Sequence, residues 1–194
     1  MASQVSRFRD RFSGMTGHKL ESVLLDWVSF PSGFGAGGRR RLFTPSRVFW
    51  LFLSQVLEKD CSCRESLRKF QAELFRESGR RSSPSTAAYC KARLKLRPGE
   101  VRRISGGIAG RMNKACPWSW YGRQVKVVDG TGVSMPDSPA NKRAWPLSGK
   151  SRPGCWFPVM RMVAIFSLAT GALMELAHGP LGVHERPLCR SLWS

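Results

Sequence analysis

The segment Gln124–Pro180, QVKVVDGTGVSMPDSPANKRAWPLSGKSRPGCWFPVMRMVAIFSLATGALMELAHGP, decides the fold class, because it gathers the strand signals of a chain whose front part reads as helical. Val125, Val127 and Val128 form a β-branched run that suits a strand over 124–128. Asp129-Gly130 follows, a pair that favours a turn, so the acid is expected at a strand tip. Gly132 to Met135 offers a second short strand, and the stretch from Pro136 to Pro153, with four prolines, reads as a loop. Two further strands, Pro158 to Leu168 and Ala172 to Leu176, flank the turn Ala169-Thr170-Gly171 and make a hairpin beside the Val125 strand. A helix over 184–192 would then begin to cross the sheet.

Upstream, apolar residues recur at helical spacing. Leu20, Val23, Leu24 and Trp27 form one stripe, stopped near Pro31. Thr44-Pro45 starts the next helix, since threonine caps free N–H groups and proline suits the first helical position. The run VFWLFLSQVL that follows is apolar almost all round, which predicts a buried helix ending near Lys59. Ser62 and Glu65 have capping-box spacing before a helix whose inward residues are Leu67, Phe70, Leu74 and Phe75. Ser83-Pro84 opens a basic helix from Pro84 to Leu96 that interleaves Lys91, Arg93 and Lys95 with Ala92, Leu94 and Leu96. Pro98 opens another, through Val101, Ile104, Ile108 and Met112, weakened by Gly106, Gly107 and Gly110 and ended before Cys116-Pro117. Trp118, Trp120 and Tyr121 are expected as a buried hinge, with base stacking as the alternative.

The net charge of +19 and pI near 11.0 direct attention to phosphate-rich partners. Residues 1–118 carry 23 Lys/Arg against 9 Asp/Glu, and residues 119–194 carry 9 against 4, so polyanion affinity is expected upstream. Helix, turn, helix, turn, basic helix is a layout that presents one element to a DNA groove. Lys91, Arg93 and Lys95 are its candidate DNA contacts, joined by Arg39, Arg40 and Arg41 in the glycine-rich loop SGFGAGGRRR. That loop lacks a preceding strand and a G-K-[ST] ending, so it is read as a basic linker and not a nucleotide cradle. The six cysteines contain no C-x-x-C pair, which argues against structural zinc and favours reduced packing thiols. No apolar leader follows the early arginines, and the longest uncharged apolar run, Met162 to Met174, is too short to span a bilayer. A cytoplasmic protein with no membrane partner is expected. The three histidines have no serine or cysteine nucleophile nearby in sequence, so histidine-based catalysis is poorly supported.

Two stretches, VVDGTGVSMPDSPAN at Val127 to Asn141 and PGCWFPVMRMVAIFSLATGAL at Pro153 to Leu173, resemble the DDE transposases of bacterial insertion sequences, in particular the insertion-sequence-four family. The resemblance runs from about Phe8 to Ser194 and covers the front portion of the family pattern. It implies an α+β chain: an N-terminal helical DNA-binding region over 1–118, then an incomplete ribonuclease H-like sheet over 119–194 holding the first three strands. Such enzymes cut and join DNA with three carboxylates that bind two metal ions, commonly Mg²⁺. Asp129 matches the first carboxylate, as catalytic residue and metal ligand. Asp137, Glu175 and Glu185 match neither of the others, which in full-length relatives lie further on. The resemblance therefore implies a truncated transposase, inactive alone, with weak Mg²⁺ binding and a β part left marginal by a missing neighbour strand. Its partners would be double-stranded DNA at transposon ends and full-length transposase. The alternatives are a DNA-binding regulator or inhibitor of transposition, and a non-functional remnant.

Overall fold

The computed structural model describes residues 10–34, 42–146 and 157–193. Its elements, in chain order, are α1 (Gly17–Leu24), α2 (Pro45–Leu57), α3 (Cys63–Ser78), α4 (Ala87–Arg93), α5 (Pro98–Ala115), β1 (Lys126–Ser134), α6 (Pro139–Ala144), β2 (Val159–Ser167), β3 (Leu173–Pro180) and α7 (Glu185–Arg190). The class is α+β. The chain divides into two compact units, residues 1–104 and 105–194.

The first unit is helical, and side-chain caps place its helix starts. Thr44 Oγ1 accepts from Arg47 N at the head of α2, and Ser62 Oγ accepts from Glu65 N at the head of α3. The capping box at Ser62 is half made: the Glu65 carboxylate forks onto Arg68 at 2.7 and 2.9 Å. Val48, Leu51, Leu67, Phe70 and Tyr89 form the core, each side chain of this size contributing about 1.5–3 kcal/mol through burial. Gly17 lets α1 lie directly on α2, because a Cβ there would stand 3.1 Å from Leu51 N and 3.2 Å from Trp50 C.

Three expectations about this unit change. Leu20 is buried, but Val23 and Trp27 are exposed, so the inward face of α1 is Gly17 and Leu20 rather than the whole apolar stripe. Phe75 also lies outside, under the Arg81 guanidinium at 5.6 Å. The basic helix starts at Ala87 rather than Pro84 and ends at Arg93. Ser83 Oγ accepts from Ser85 N and Ser85 Oγ accepts from Ala87 N, and these local bonds hold the segment in turns that compete with a helix.

The second unit is built on a three-stranded antiparallel sheet in the order β1-β2-β3. The β2–β3 hairpin matches the sequence reading, closing through Gly171 at φ 68. Two other expectations do not hold. The β1 strand is continuous from Lys126 to Ser134, so Asp129 sits mid-strand and not at a tip, paired with Ala164 while Gly130 pairs with Val163. Nor is the proline-rich segment wholly a loop: Ser138 Oγ accepts from Asn141 N and Pro139 takes the first turn of α6. Val163, Ile165 and Ser167 of β2 are buried and share one face of the sheet by alternation. In α5, Asn113 accepts from Thr170 Oγ1 at 2.9 Å, which ties its end to the β2–β3 turn.

The aromatic residues before β1 are exposed, against the expectation of a buried hinge: Trp118 and Trp120 lie outside and Tyr121 is 88% exposed. Trp120 and Arg123 exchange two backbone bonds across a tight turn, with Tyr121 at φ 48 and Gly122 at φ 73.

Candidate functional site

In the helical unit, the predicted contacts on and just after α4 separate into two kinds. Lys91 and Lys95 are exposed, one turn apart, and line a groove of about 870 Å³. Its rim carries Ser82, Ser83 and Ser85, and its floor is Leu42, Phe43, Val48 and Ala92. Arg93 turns inward instead. Its Nη1 donates to Gln55 Oε1 at 3.4 Å and approaches Cys63 Sγ at 3.5 Å, and its guanidinium lies over the Phe52 ring at 5.3 Å. Arg39, Arg40 and Arg41 lie outside the described residues; in the sequence they lead directly into Leu42 and Phe43 of the groove.

Behind the groove, charge and burial set unusual titrations. Burial pushes the Tyr89 hydroxyl up to about 12, against the lowering effect of Arg93, and the hydroxyl donates to Gln55 Oε1 at 2.9 Å. Burial pushes the Cys63 thiol up too, but the Gln55 amide and the Arg93 charge outweigh it and hold the thiol below its ordinary value. Arg93 is therefore a structural cation with three polar or thiol neighbours, while Lys91 and Lys95 remain turned to solvent.

In the second unit, Asp129 is exposed, and its Oδ1 accepts from Gly130 N at 2.9 Å. Gly130 is covered by the end of the Glu185 side chain: a Cβ there would meet its carboxyl carbon at 2.8 Å and both oxygens at 3.0 Å, so a larger residue would push that flexible carboxylate aside. Consecutive strand residues face opposite sides, so Glu185 lies over the face that Asp129 turns away from. Glu175 pairs with Ile165, which shares the buried face with Val163, and Asp137 is bound to Lys142 at 2.7 Å. Asp129 shares its own face with Ala164, Thr131 and Met162. Among the described residues, no carboxylate joins it in a three-ligand group. Mg²⁺ takes near-octahedral oxygen ligation, usually from more than one carboxylate or with substrate phosphate, so Asp129 by itself does not make a site for it.

Sequence reasoning missed one constellation. The donor atoms of His18, Glu73 and Glu77 all lie within 4.8 Å of one another. Glu73 and Glu77 share a face of α3 by their spacing, which is visible in the sequence, but His18 joins them only through helix packing.

Comparison of the chain with protein-family models, curated proteins and solved structures finds no match. No helix among the described residues is long and apolar enough to cross a membrane.

Proposed function

We propose that the chain binds double-stranded DNA through its helical unit, as the front portion of an insertion-sequence transposase that holds transposon ends and does not cut them alone. The observation that carries the binding reading is the groove beside α4, where two exposed lysines and three serines surround an apolar floor. Ammonium groups neutralise phosphates and hydroxyls donate to phosphate oxygens, which positions a protein on a duplex without reading its sequence. The +19 charge of the chain supports the same partner. Arg39, Arg40 and Arg41 extend the basic surface in sequence, immediately before the groove.

Support for the transposase reading is the resemblance around Asp129, together with a β1 strand that has β2 on one side and no strand on the other among the described residues. In that reading Asp129 is the first of three ligands of a Mg²⁺ clamp, and the other two come from beyond the acids placed here. The isolation of Asp129 favours a second reading, in which the chain acts as a regulator that occupies transposon ends and blocks full-length transposase.

Mobility-shift titrations at two salt concentrations test the binding. The expected result is a complex that weakens steeply with salt, because released counterions drive phosphate contacts. Absence of a complex with duplex DNA at low salt would refute the proposal. Adding the chain to full-length transposase tests the second reading: a regulator lowers cleavage by the enzyme in proportion to the ends it occupies, and cleavage unchanged at full occupancy would contradict it.

A further inference from the structure

The charge pattern of this chain makes one place in the helical unit exceptional. Thirteen acids stand against 32 Lys/Arg, yet Glu21, Glu73 and Glu77 all border one cavity of about 80 Å³ together with His18. Glu73 is only 8% exposed, and the Thr16 hydroxyl donates to its Oε1. No Lys or Arg makes an ion pair with it among the described residues. Burying a carboxylate costs several kcal/mol unless a cation or several donors compensate it, so this environment is incomplete as it stands.

A second observation concerns a residue that lines the same cavity. Trp50, which lines it, is 1% exposed, and its indole N–H has no acceptor among the described residues. Buried donors are almost always met, so an acceptor atom is wanted here as well as a cation. A metal ion carrying a water or hydroxide supplies both. Arg47 also borders the cavity, but its Nη1 is turned to the Leu42 carbonyl at 2.8 Å and its guanidinium lies over Phe70.

We propose that His18, Glu73 and Glu77 bind a divalent transition-metal ion of the zinc type, with Glu21 or a water as the fourth ligand. Tetrahedral zinc has ligand bonds of about 2.0–2.2 Å, which sets its donor atoms about 3.3–3.5 Å apart. His18 Nδ1 and Glu77 Oε1 are already 3.4 Å apart, and Glu73 needs only a small closure from within 4.8 Å. One imidazole with two carboxylates suits zinc, cobalt or manganese better than magnesium, which prefers an all-oxygen shell. The ion would pin α1 to α3, two helices otherwise joined at this point by the Thr16–Glu73 hydrogen bond and the His18–Glu77 contact. This site is independent of the DNA reading.

The test titrates the full chain with Co²⁺, whose visible spectrum reports nitrogen and oxygen ligation and whose near-ultraviolet charge-transfer band reports thiolates. Zn²⁺ competition then gives the affinity. His18→Ala and Glu77→Gln are chosen because both side chains are exposed, so the fold tolerates them, and circular dichroism checks it. The expected result is one ion per chain, no thiolate band, and an affinity that falls more than about tenfold in each variant, since even indirect partners of a metal contribute that much. No saturable binding, a thiolate band that places the ion on cysteines, or variants that bind like the parent would each overturn the proposal.

Discussion

Replacing Lys91 and Lys95 together by glutamine probes the groove where the account is most specific. Lys91 lies on α4 and Lys95 in the turn just past its end, and both are exposed and line the groove. Each phosphate that a lysine neutralises adds about 0.9 to the slope of log affinity against log salt, so losing both should flatten the slope by about 1.8. Between 50 and 200 mM salt, the parent should then lose about tenfold more affinity than the variant. Fluorescence anisotropy with a labelled duplex measures both slopes. Stability should change by less than about 0.5 kcal/mol, because both side chains are exposed and neither is paired among the described residues. Arg93→Gln is the contrast: it removes contacts to Gln55, Cys63 and the Phe52 ring, so it should cost about 1–3 kcal/mol of stability and leave the salt slope near that of the parent. An unchanged slope in the double variant, or a slope that falls only in Arg93→Gln, would refute the assignment of this groove.

Gly106 and Gly107 lie within α5 with nothing within 4 Å of where a Cβ would stand, so Gly106→Ala and Gly107→Ala should each stabilise by about 1 kcal/mol in urea titration. Tyr89 titrates near 12 in the folded chain against about 10 unfolded, so the folded state holds the proton more tightly. Its contribution is complete below pH 10 and is lost as pH rises toward 12; the stability difference between the parent and Tyr89→Phe should shrink across that window and stay flat below it. Val127 and Val128 are 41% and 40% exposed on the outer strand β1, so Val127→Lys should reduce self-association, read by light scattering at rising concentration, with little change in the unfolding midpoint.

Much of this architecture is written locally. Thr44-Pro45 and Ser62 announce their helices through side-chain caps, and the β2–β3 hairpin follows from two apolar runs around a glycine turn. Ser138-Pro139 carries the same starting signature as Thr44-Pro45, but its weight was hidden by the prolines around it. Asp129-Gly130 reads as a turn because turn preference is a property of the pair. The pairing of Asp129 with Ala164 and of Gly130 with Val163 is long-range, and it holds the pair in an extended strand. The lysines of the groove were legible as a basic helix, whereas the inward turn of Arg93 depends on Gln55 and Cys63 in other helices. The His18, Glu73 and Glu77 group is illegible for a related reason: its members meet only when α1 packs near α3.

The central proposal is that the chain holds DNA without cutting it. Incubating the purified chain with Mg²⁺ and a duplex carrying the ends of the proposed insertion sequence, then resolving products on a denaturing gel, tests this most directly. Bound complexes with both strands intact are the predicted result; nicked or transferred strands that require Mg²⁺ and disappear in Asp129→Asn would contradict it.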